Sequence, residues 1–523
     1  MCLSAKARMR LLLLMVVVVV VTESVLPPPE RSYNILIVLT VSGTSHRNVF
    51  IPVAEGLADR GHKVYVLSSL ANFTTDRNIT QLNTGINVME DVKINTFDIL
   101  EDNFDEFNYL MTLLPKLIDD VYASPIFMEL YNKRKMFDLI IIDHMFNELN
   151  YPFTHEIPFI TIATHGMDPL QSAAVFGNVL NPAYTPSVFF SLSPPKGLYQ
   201  RFTNTLIHLL VSFTYNYWTV IPVIQKKVSA KFPDAPPLLE MARNQSLTLI
   251  NSHFSLVMPY PLLPSQVEVG ALHCRPGQPL PQDISSWIEG AGEAGIVYFS
   301  LGSITKGALM PEKYLKLFLQ AFKRLDQRVL WKFESDLPGV PDNILIRPWM
   351  PQQDILSHPG VKVFMSHGGL LGTQEALYHA KPILALPIHG DQPRNAQNIV
   401  DKGLGLSLNW KELSVDRIVH TIQEIINNPR YKRRMQEVSS ALRDQPQSPR
   451  ERAVFWTEYV IRHQGAPQLR CPAVELSWVE FLMLDVLALI LLAAVIALFA
   501  LRRIITFIWG RIVKQTQSKH KYD

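Results

Sequence analysis

Apolar and polar residues are grouped in regular blocks along most of this chain. Residues 34–41 form a continuous apolar run, as in a parallel strand that is covered on both faces. A helix-like segment follows at residues 48–60, and Gly61 stands just past its end, where glycine is common. A second strand-like run at residues 63–68 completes the set. This order of strand, helix and strand predicts a βαβ unit.

The same alternation occurs on both sides of a proline-rich stretch at residues 263–285, which we interpret as a linker. Further strands of the first half, residues 32–262, are predicted at residues 137–143 and 159–163. The second half, residues 286–465, has a predicted helix at residues 311–325 and predicted strands at residues 295–300, 329–333, 344–347, 361–365, 383–386 and 404–408. Two such halves predict an α/β fold in which two Rossmann-like βα domains face a cleft, with ligands at the carboxyl ends of the strands.

Both ends of the chain carry apolar blocks of a different kind. Residues 1–24 contain basic residues, an apolar core at residues 11–21 and then small residues, which is the form of a cleaved secretory signal peptide. That core is shorter than the roughly 20 residues that a spanning helix needs, which disfavours a retained anchor. Residues 479–501 are apolar and long enough to span a membrane, and the basic tail at residues 502–523 predicts a cytosolic C-terminus. The sequence therefore predicts a single-pass type I membrane protein.

A further apolar stretch lies at residues 203–224. Asn204, His208 and Asn216 interrupt it, and charged residues flank it closely, so a membrane span is disfavoured. We predict a helix that is buried in the core. The alternative is a surface helix that lines a ligand channel or contacts a bilayer.

Composition narrows the classes of function. The chain has 523 residues, 48% of them hydrophobic, and a formal net charge of only +3, which argues against nucleic-acid binding. Three cysteines do not suggest a disulfide framework, and no Cys/His spacing is typical of zinc. Asn72, Asn78 and Asn244 begin N-glycosylation sequons and fall in the part that is predicted to lie outside the cytosol.

The fourth predicted strand of the second half leads into the most specific motif of the chain. It ends in a turn that contains His367 and Gly369, and paired glycines there let a ligand approach the backbone. The free N–H groups of the following helix suit a phosphate. Glu375 lies about two helical turns further on, where its carboxylate can bind vicinal hydroxyls such as those of a ribose. Together with Asp391 and Gln392 beyond the next strand, this order indicates a nucleotide-sugar site.

This segment closely resembles the signature of the UDP-glycosyltransferases, and the resemblance extends from residue 32 to the C-terminal tail. It implies the GT-B fold, in which two Rossmann-like domains face each other. It also implies inverting transfer of a hexosyl group from a UDP-sugar to the hydroxyl group of a small lipophilic acceptor. Leu370, Leu371 and residues 453–459 look most like arthropod members. Glucose is therefore favoured as the sugar, with glucuronic acid as the alternative.

The resemblance also implies roles for residues at strand ends in both halves. His46, in the loop after the first strand, matches the catalytic base, and Asp143 matches the aspartate that orients it. Trp349 matches the platform on which the uracil stacks, and Gln352 matches a residue that reads the edge of the base. The remaining contacts are expected from Ser303, His367 and Gly369 to the diphosphate, from Glu375 to the ribose, and from Asp391 and Gln392 to the sugar hydroxyls.

Neither a metal ion nor another cofactor is expected, because the helix start and His367 can stabilise the departing UDP. A glucuronate carboxylate would need a cationic partner. Arg47 is the plausible one, because Arg394 follows a proline at a helix start and is expected to point to solvent. His389 is interpreted as structural or surface-exposed.

The C-terminal tail predicts a location. Lys519 and Lys521 match the Lys-x-Lys-x-x signal that the coat-protein retrieval machinery binds. We therefore expect residence in the endoplasmic reticulum membrane, with the catalytic body in the lumen. Two other classes of function remain open from the sequence: a nucleotide-sugar epimerase, and a catalytically inactive membrane protein that binds glycosides or lipids.

Overall fold

A computed structural model of the chain describes residues 26–86, 95–100, 106–144, 146, 148–187 and 195–519. The predicted signal peptide and residues 520–523 of the tail lie outside the described residues. The chain divides into two compact units, Met1–Arg470 and Cys471–Asp523. The first unit contains both predicted halves, and each half is built on its own parallel sheet.

In the described part of the first half, seven parallel strands lie in the order β3-β2-β1-β4-β5-β6-β7. These strands are β1 Asn34–Leu39, β2 Lys63–Ser68, β3 Ile79–Asn83, β4 Leu139–Asp143, β5 Phe159–Ala163, β6 Leu247–Ile250 and β7 Gln266–Glu268. The described helices are α1 Thr44–Asp59, α2 Phe97–Leu100, α3 Glu106–Ala123, α4 Pro125–Asn132, α5 Pro169–Phe176, α6 Leu198–Phe213, α7 Val220–Lys231 and α8 Leu238–Arg243. The continuous apolar runs of the sequence form the central strands β1 and β4, as expected for strands that are covered on both faces.

The described second half has six parallel strands in the order β10-β9-β8-β11-β12-β13. These strands are β8 Ile296–Ser300, β9 Arg328–Lys332, β10 Ile344–Arg347, β11 Val361–Ser366, β12 Ile383–Ala385 and β13 Gly405–Ser407. The helices are α9 Gln282–Glu289, α10 Glu312–Lys323, α11 Gln352–Ser357, α12 Leu370–Tyr378, α13 Gln392–Asp401, α14 Val415–Asn427, α15 Pro429–Arg443 and α16 Pro449–Arg462. Both sheets have the Rossmann strand order, so the predicted fold class of two Rossmann-like domains is confirmed.

Three strands of the first sheet were not predicted from the sequence. Strand β3 lies at the edge of the sheet and carries no fully buried residue, so it lacks the apolar run that marks a central strand. Strands β6 and β7 are short. Because β7 lies inside the stretch at residues 263–285, the first part of the predicted linker belongs to the first sheet.

The last helix of the first unit, α16, packs against the first half. Ala453 and Val454 are buried in the cluster that covers one face of the first sheet. Gly56 of α1 makes room for this helix, because a Cβ at that position would lie 2.6 Å from a methyl group of Val454. Arg60 donates a 3.0 Å hydrogen bond to the buried carboxylate of Glu458. From the sequence this helix is predicted to belong to the second half, because an apolar pattern does not specify which sheet a helix covers.

Helix α6 has an exposed apolar face, so the predicted core position is wrong for residues 203–213, whereas Val220, Ile221 and Ile224 of α7 are buried in the core of the first half. On the opposite side, Asn204 is buried and donates hydrogen bonds to the backbone carbonyls of Pro182 and Thr185. The apolar side chains that are exposed along α6 include Tyr199, Phe202, Leu206, Leu209, Leu210 and Phe213. This exposure agrees with the alternative prediction of a surface helix, and the segment Leu198–Lys231 is also apolar and long enough to be a candidate span.

The second unit contains the described helices α17 Trp478–Phe481 and α18 Leu484–Lys519. The segment Leu484–Lys514 has a mean hydropathy of 2.9, and none of its most apolar window is buried. It overlaps the span that is predicted at residues 479–501. By length and composition this helix fits a membrane anchor.

Candidate active site

A cavity of about 360 Å³ lies between the two halves, at the carboxyl ends of the strands. The first half contributes residues that follow β1 and β5. The second half contributes residues that follow β8, β10, β11 and β12. The lining includes Thr44, His46, Thr164, His165, Ser303, Trp349, Gln352, His367, Gly369, Glu375, His389, Asp391 and Gln392. Nine of the ten predicted catalytic and UDP-sugar residues therefore share one cavity, and the tenth, Asp143, lies directly behind it.

His46 and Asp143 form a close pair on the first half. Nδ1 of His46 is 2.7 Å from Oδ2 of Asp143. The Asp143 side chain is fully buried, whereas that of His46 is 35% exposed. Helix α1 begins at Thr44, so His46 lies in its first turn and not in the loop that the sequence predicted. Because Asp143 holds Nδ1, Nε2 is the ring nitrogen that remains for a ligand.

Two hydroxyl groups that the sequence analysis missed hold this pair in place. Ser42 donates a 2.6 Å hydrogen bond to Oδ2 of Asp143. The hydroxyl oxygen of Thr164 lies 2.9 Å from Nδ1 of His46 and donates to Oδ1 of Asp143 at 3.4 Å. Ser42 follows β1 and Thr164 follows β5, so the rule that sites lie at strand ends could have identified both.

The electrostatics of the first half raise the pKa of His46. Burial lowers the pKa of His46, but attraction to Asp143 and the hydrogen bond between the two outweigh it, so the pKa is raised above its ordinary value. The negative charge of Asp391 on the second half acts in the same direction. Asp391 is therefore close enough to His46 across the cavity to influence its charge.

On the second half, two glycines enclose His367. A Cβ at Gly302 would lie 2.7 Å from Cε1 of His367, and a Cβ at Gly369 would lie 2.5 Å from its Nε2. Any larger residue at either position would displace the imidazole ring. Burial lowers the pKa of His367 to about 3, assisted by the nearby charges of His389 and Lys332. The ring is therefore neutral at physiological pH and can donate one hydrogen bond at the start of α12.

Glu375 is held by the amide of Gln352. Nε2 of Gln352 donates a 2.5 Å hydrogen bond to Oε2 of Glu375, and the hydroxyl of Tyr298 donates to Oε1 of Gln352 at 3.2 Å. Both ends of the amide are thus engaged, so Gln352 positions Glu375 in this structure. Burial raises the pKa of Glu375 to about 7, although Gln352 and Arg275 act to lower it.

The sequence predicts that the uracil base stacks on the flat face of Trp349, and this face is accessible. Trp349 is 65% exposed and lines the cavity. Nζ of Lys332 lies 5.7 Å from the centre of its ring and 2.5 Å from Oε1 of Glu334. An indole this exposed is available to stack on a planar ligand.

Asp391 and Gln392 lie at the start of α13. Oε1 of Gln392 accepts hydrogen bonds from the backbone N–H groups of Ile388 and His389, which leaves its NH₂ group for other contacts. Asn395 donates a 2.6 Å hydrogen bond to Oδ2 of Asp391, so Asn395 orients this carboxylate. His389, which the sequence analysis interpreted as structural or surface-exposed, lines the cavity.

Neither Arg47 nor Arg394 is oriented as the sequence predicts. The guanidinium group of Arg47 donates to the backbone carbonyl of Ala71 and lies 6.0 Å from the ring centre of Phe73. Arg47 is therefore directed away from the cavity and is not placed to bind a sugar carboxylate. The Nε atom of Arg394 is buried, and its charge lowers the pKa of His165, so Arg394 is directed inward and not to solvent.

Comparison with proteins of known sequence agrees with this architecture. The family model described as UDP-glucoronosyl and UDP-glucosyl transferase matches residues 35–519. UDP-glucosyltransferase 2 of Dactylopius coccus is 34% identical over 90% of this chain and 92% of the relative. The human UDP-glucuronosyltransferase 2B15 is 30% identical over 90% of this chain and 92% of the relative.

Solved structures are similar in fold. A glycosyltransferase of kitacinnamycin matches with a TM-score of 0.55 and 17% identity, over 82% of this chain and 99% of that chain. The calicheamicin glycosyltransferase CalG4 matches with a TM-score of 0.55 and 16% identity, over 83% of this chain and 99% of that chain. These likenesses confirm the GT-B fold. Because the family model and the relatives both cover nearly the whole chain, the protein belongs to the UDP-glucuronosyl and UDP-glucosyl transferase family.

Proposed function

We propose that this enzyme transfers a hexosyl group, preferably glucose, from a UDP-sugar to the hydroxyl group of a small lipophilic acceptor, with inversion at the anomeric carbon. One observation carries the proposal. The buried Asp143 holds His46 at 2.7 Å on one wall of the cavity, and the enclosed His367 lies on the opposite half. This arrangement supplies a base on one side and a stabilising donor for the leaving group on the other.

The acceptor reacts on the first half. Nε2 of His46 takes the proton of the acceptor hydroxyl while that oxygen attacks the anomeric carbon of the sugar. The buried carboxylate of Asp143 stabilises the imidazolium that forms, and it keeps the ring in the reactive orientation. Ile304, Leu370 and Leu371 add apolar surface to the cavity, which suits a lipophilic acceptor.

The UDP leaving group is bound by the second half. The bond from the anomeric carbon to the phosphate oxygen breaks as the new bond forms, and negative charge develops on UDP. His367 and the free N–H groups at the start of α12 stabilise that charge, so the chemistry needs no metal ion or other cofactor. We place the uracil base on Trp349 and the ribose at Glu375. The diphosphate then lies near Ser303 and Gly369, and the transferred sugar lies at Asp391 and Gln392.

Replacing His46 by Ala removes the base and leaves the UDP contacts intact. Turnover is expected to fall by about 10²–10⁴-fold, while the affinity for UDP stays within experimental error. Asp143→Asn is the matched second variant, and His420→Ala, on the exposed face of α14, is the control. Release of UDP with and without 2-naphthol measures turnover. Near-normal turnover of His46→Ala would be incompatible with the mechanism, and hydrolysis without acceptor dependence would indicate another reaction.

The raised pKa of Glu375 gives UDP binding a pH dependence. Ribose hydroxyls donate to the carboxylate, so UDP binds best when Glu375 is ionised. With a pKa of about 7, the carboxyl group is mostly protonated at pH 6 and mostly ionised at pH 8. Affinity for UDP should therefore rise by up to about tenfold from pH 6 to pH 8.

Calorimetry with the wild type and Glu375→Gln tests this expectation. The variant should bind UDP more weakly at pH 8, and it should retain only the pH dependence that comes from the phosphate of UDP itself. If both proteins show the same pH profile, Glu375 does not contact the ribose.

The charges of the cavity support glucose over glucuronic acid. Among the described lining residues, the cations Arg275 and Lys332 are each paired with a carboxylate, Asp354 at 2.6 Å and Glu334 at 2.5 Å respectively. A glucuronate carboxylate beside Asp391 would therefore find no unpaired lysine or arginine among these lining residues, and burying a charge without a partner is costly. We therefore expect kcat/KM to be higher with UDP-glucose than with UDP-glucuronate.

The two donors should be compared in the wild type and in Arg394→Gln. Arg394→Gln is included because Arg394 is directed inward, so it is the arginine that a glucuronate carboxylate could bind. A higher kcat/KM with UDP-glucuronate, lost in Arg394→Gln, would contradict the assignment and identify Arg394 as the residue that binds the carboxylate.

We further propose that the enzyme resides in the endoplasmic reticulum, anchored by α18, with its catalytic body in the lumen. Asn72, Asn78 and Asn244 are exposed, as glycosylation requires. Replacing Lys519 and Lys521 together by Ser should release the protein to the Golgi, so that its glycans become resistant to endoglycosidase H. Lys514→Ser, a basic residue outside the motif, is the control. Full sensitivity of the double variant would exclude the tail as the retrieval signal.

A further inference from the structure

A second polar cluster lies beside the His46–Asp143 pair, and the proposed mechanism does not use it. His144 directly follows Asp143 after β4, and His165 directly follows Thr164 after β5. The rings of His144 and His165 are stacked, with centres 5.3 Å apart and an angle of 24° between their planes. The first residue after or at the end of each strand, Asp143 or Thr164, contacts His46. The next residue in each case, His144 or His165, contacts the other histidine.

Asp168 fixes the position of His144. Nε2 of His144 lies 2.7 Å from Oδ2 of Asp168, and both side chains are buried. The other carboxylate oxygen of Asp168 accepts a 2.8 Å hydrogen bond from the backbone N–H of Leu170, which caps helix α5. The carboxylate therefore has partners on both oxygens, and the histidine ring on which His165 packs is held rigidly.

His165 is the member of the cluster that reaches the cavity. It lines the same cavity as His46 and Thr164. Its Nε2 atom is buried and has no hydrogen-bond partner among the described residues. Burial and the neighbouring charge of His144 lower the pKa of His165 to about 3, so its ring is neutral at physiological pH. A neutral imidazole has one donor and one acceptor nitrogen, and a hydroxyl group can bind to either.

The charges around His165 have both signs. Those of His144, His46 and Arg394 act to lower its pKa, whereas that of Asp168 acts to raise it. A hydroxyl group is uncharged, so it can bind to the neutral His165 ring without adding a charge to this balance.

We propose that His165, supported by the His144–Asp168 pair, forms a second polar subsite that binds a non-reacting hydroxyl group of the acceptor. The subsite selects aromatic diols and polyphenols, in which a second hydroxyl lies near the hydroxyl that His46 deprotonates. This inference rests on the proposed glycosyl transfer and specifies the acceptor class for the same cavity.

The experiment compares 2-naphthol with 2,3-dihydroxynaphthalene as acceptors of the full-length enzyme with UDP-glucose. After correction for the two equivalent hydroxyls, kcat/KM for the diol should exceed that for 2-naphthol by roughly 3- to 10-fold, as for one neutral hydrogen bond. In His165→Phe, which keeps a flat ring against His144, this ratio should fall to about 1. His165→Gln retains a hydrogen-bonding group and should retain part of the preference. His420→Phe, on an exposed helix face, is the matched control and should leave the ratio unchanged.

Each result decides the inference. If kcat/KM in His165→Phe falls equally for both acceptors, or for neither, the ratio between them is unchanged. That result would show that His165 has a structural role only. If His165→Phe is inactive with both acceptors, His165→Gln decides, and loss of the preference there contradicts the proposal. UDP release from the wild type with 2-naphthol tests glycosyl transfer itself, so the two proposals fail separately.

A bound metal ion is the remaining explanation that the test must exclude. One ligand atom each from His144, His165 and Asp168 lies within 4.8 Å of the others, so these residues could gather around a cation. The ratio is therefore also measured after treatment with EDTA. A preference that EDTA removes and zinc restores would overturn direct contact between His165 and the acceptor. A preference that is insensitive to EDTA supports it.

Discussion

The parallel direction of the described strands places their carboxyl ends at one edge of each sheet. Every group that the proposed chemistry uses depends on this constraint, because residues far apart in sequence become neighbours only at those edges. Asp143 directly follows a buried run of four apolar residues and would be costly there without a partner. The first turn of α1 brings His46 to it, and Ser42 supplies a further hydrogen bond. The same strand order therefore places the buried carboxylate of Asp143 beside His46, the partly exposed base.

Two histidines of the cavity, His46 and His367, differ in their pKa shifts. On the first half, attraction to Asp143 outweighs burial and raises the pKa of His46, whereas burial lowers the pKa of the neighbouring His165 to about 3. On the second half, burial dominates and lowers the pKa of His367 to about 3. A histidine that takes up a proton and a histidine that stays neutral thus face one cavity. This division suits a reaction in which a proton leaves the acceptor on one side and negative charge develops on UDP on the other.

The first unit is held together by contacts that cross from one end of the chain to the other. Helix α16 returns to the first half after the second sheet is complete, and its buried Glu458 accepts a hydrogen bond from Arg60. The second half is thus connected to the first at both of its ends, through the segment after β7 and through α16. This double connection fixes the chain around the cavity that the two sheets enclose.

The sequence alone was sufficient for the elements whose signal is local. Continuous apolar runs identified the central strands, the turn with His367 and Gly369 identified the nucleotide-sugar motif, and the long apolar run near the C-terminus identified α18. The resemblance to UDP-glycosyltransferases rested on these local patterns, and the family was confirmed.

Tertiary structure decided which groups touch one another. Neither periodicity nor spacing indicated that Thr164 supports His46, that Gln352 holds Glu375, or that the guanidinium of Arg47 turns to Ala71. The apolar pattern of α6 predicted burial, yet its apolar face is exposed. The physical reason is the same in each case. A sequence pattern shows that a side chain needs a partner or an apolar surface, but the partner comes from a distant part of the chain and is selected only when the sheets are assembled.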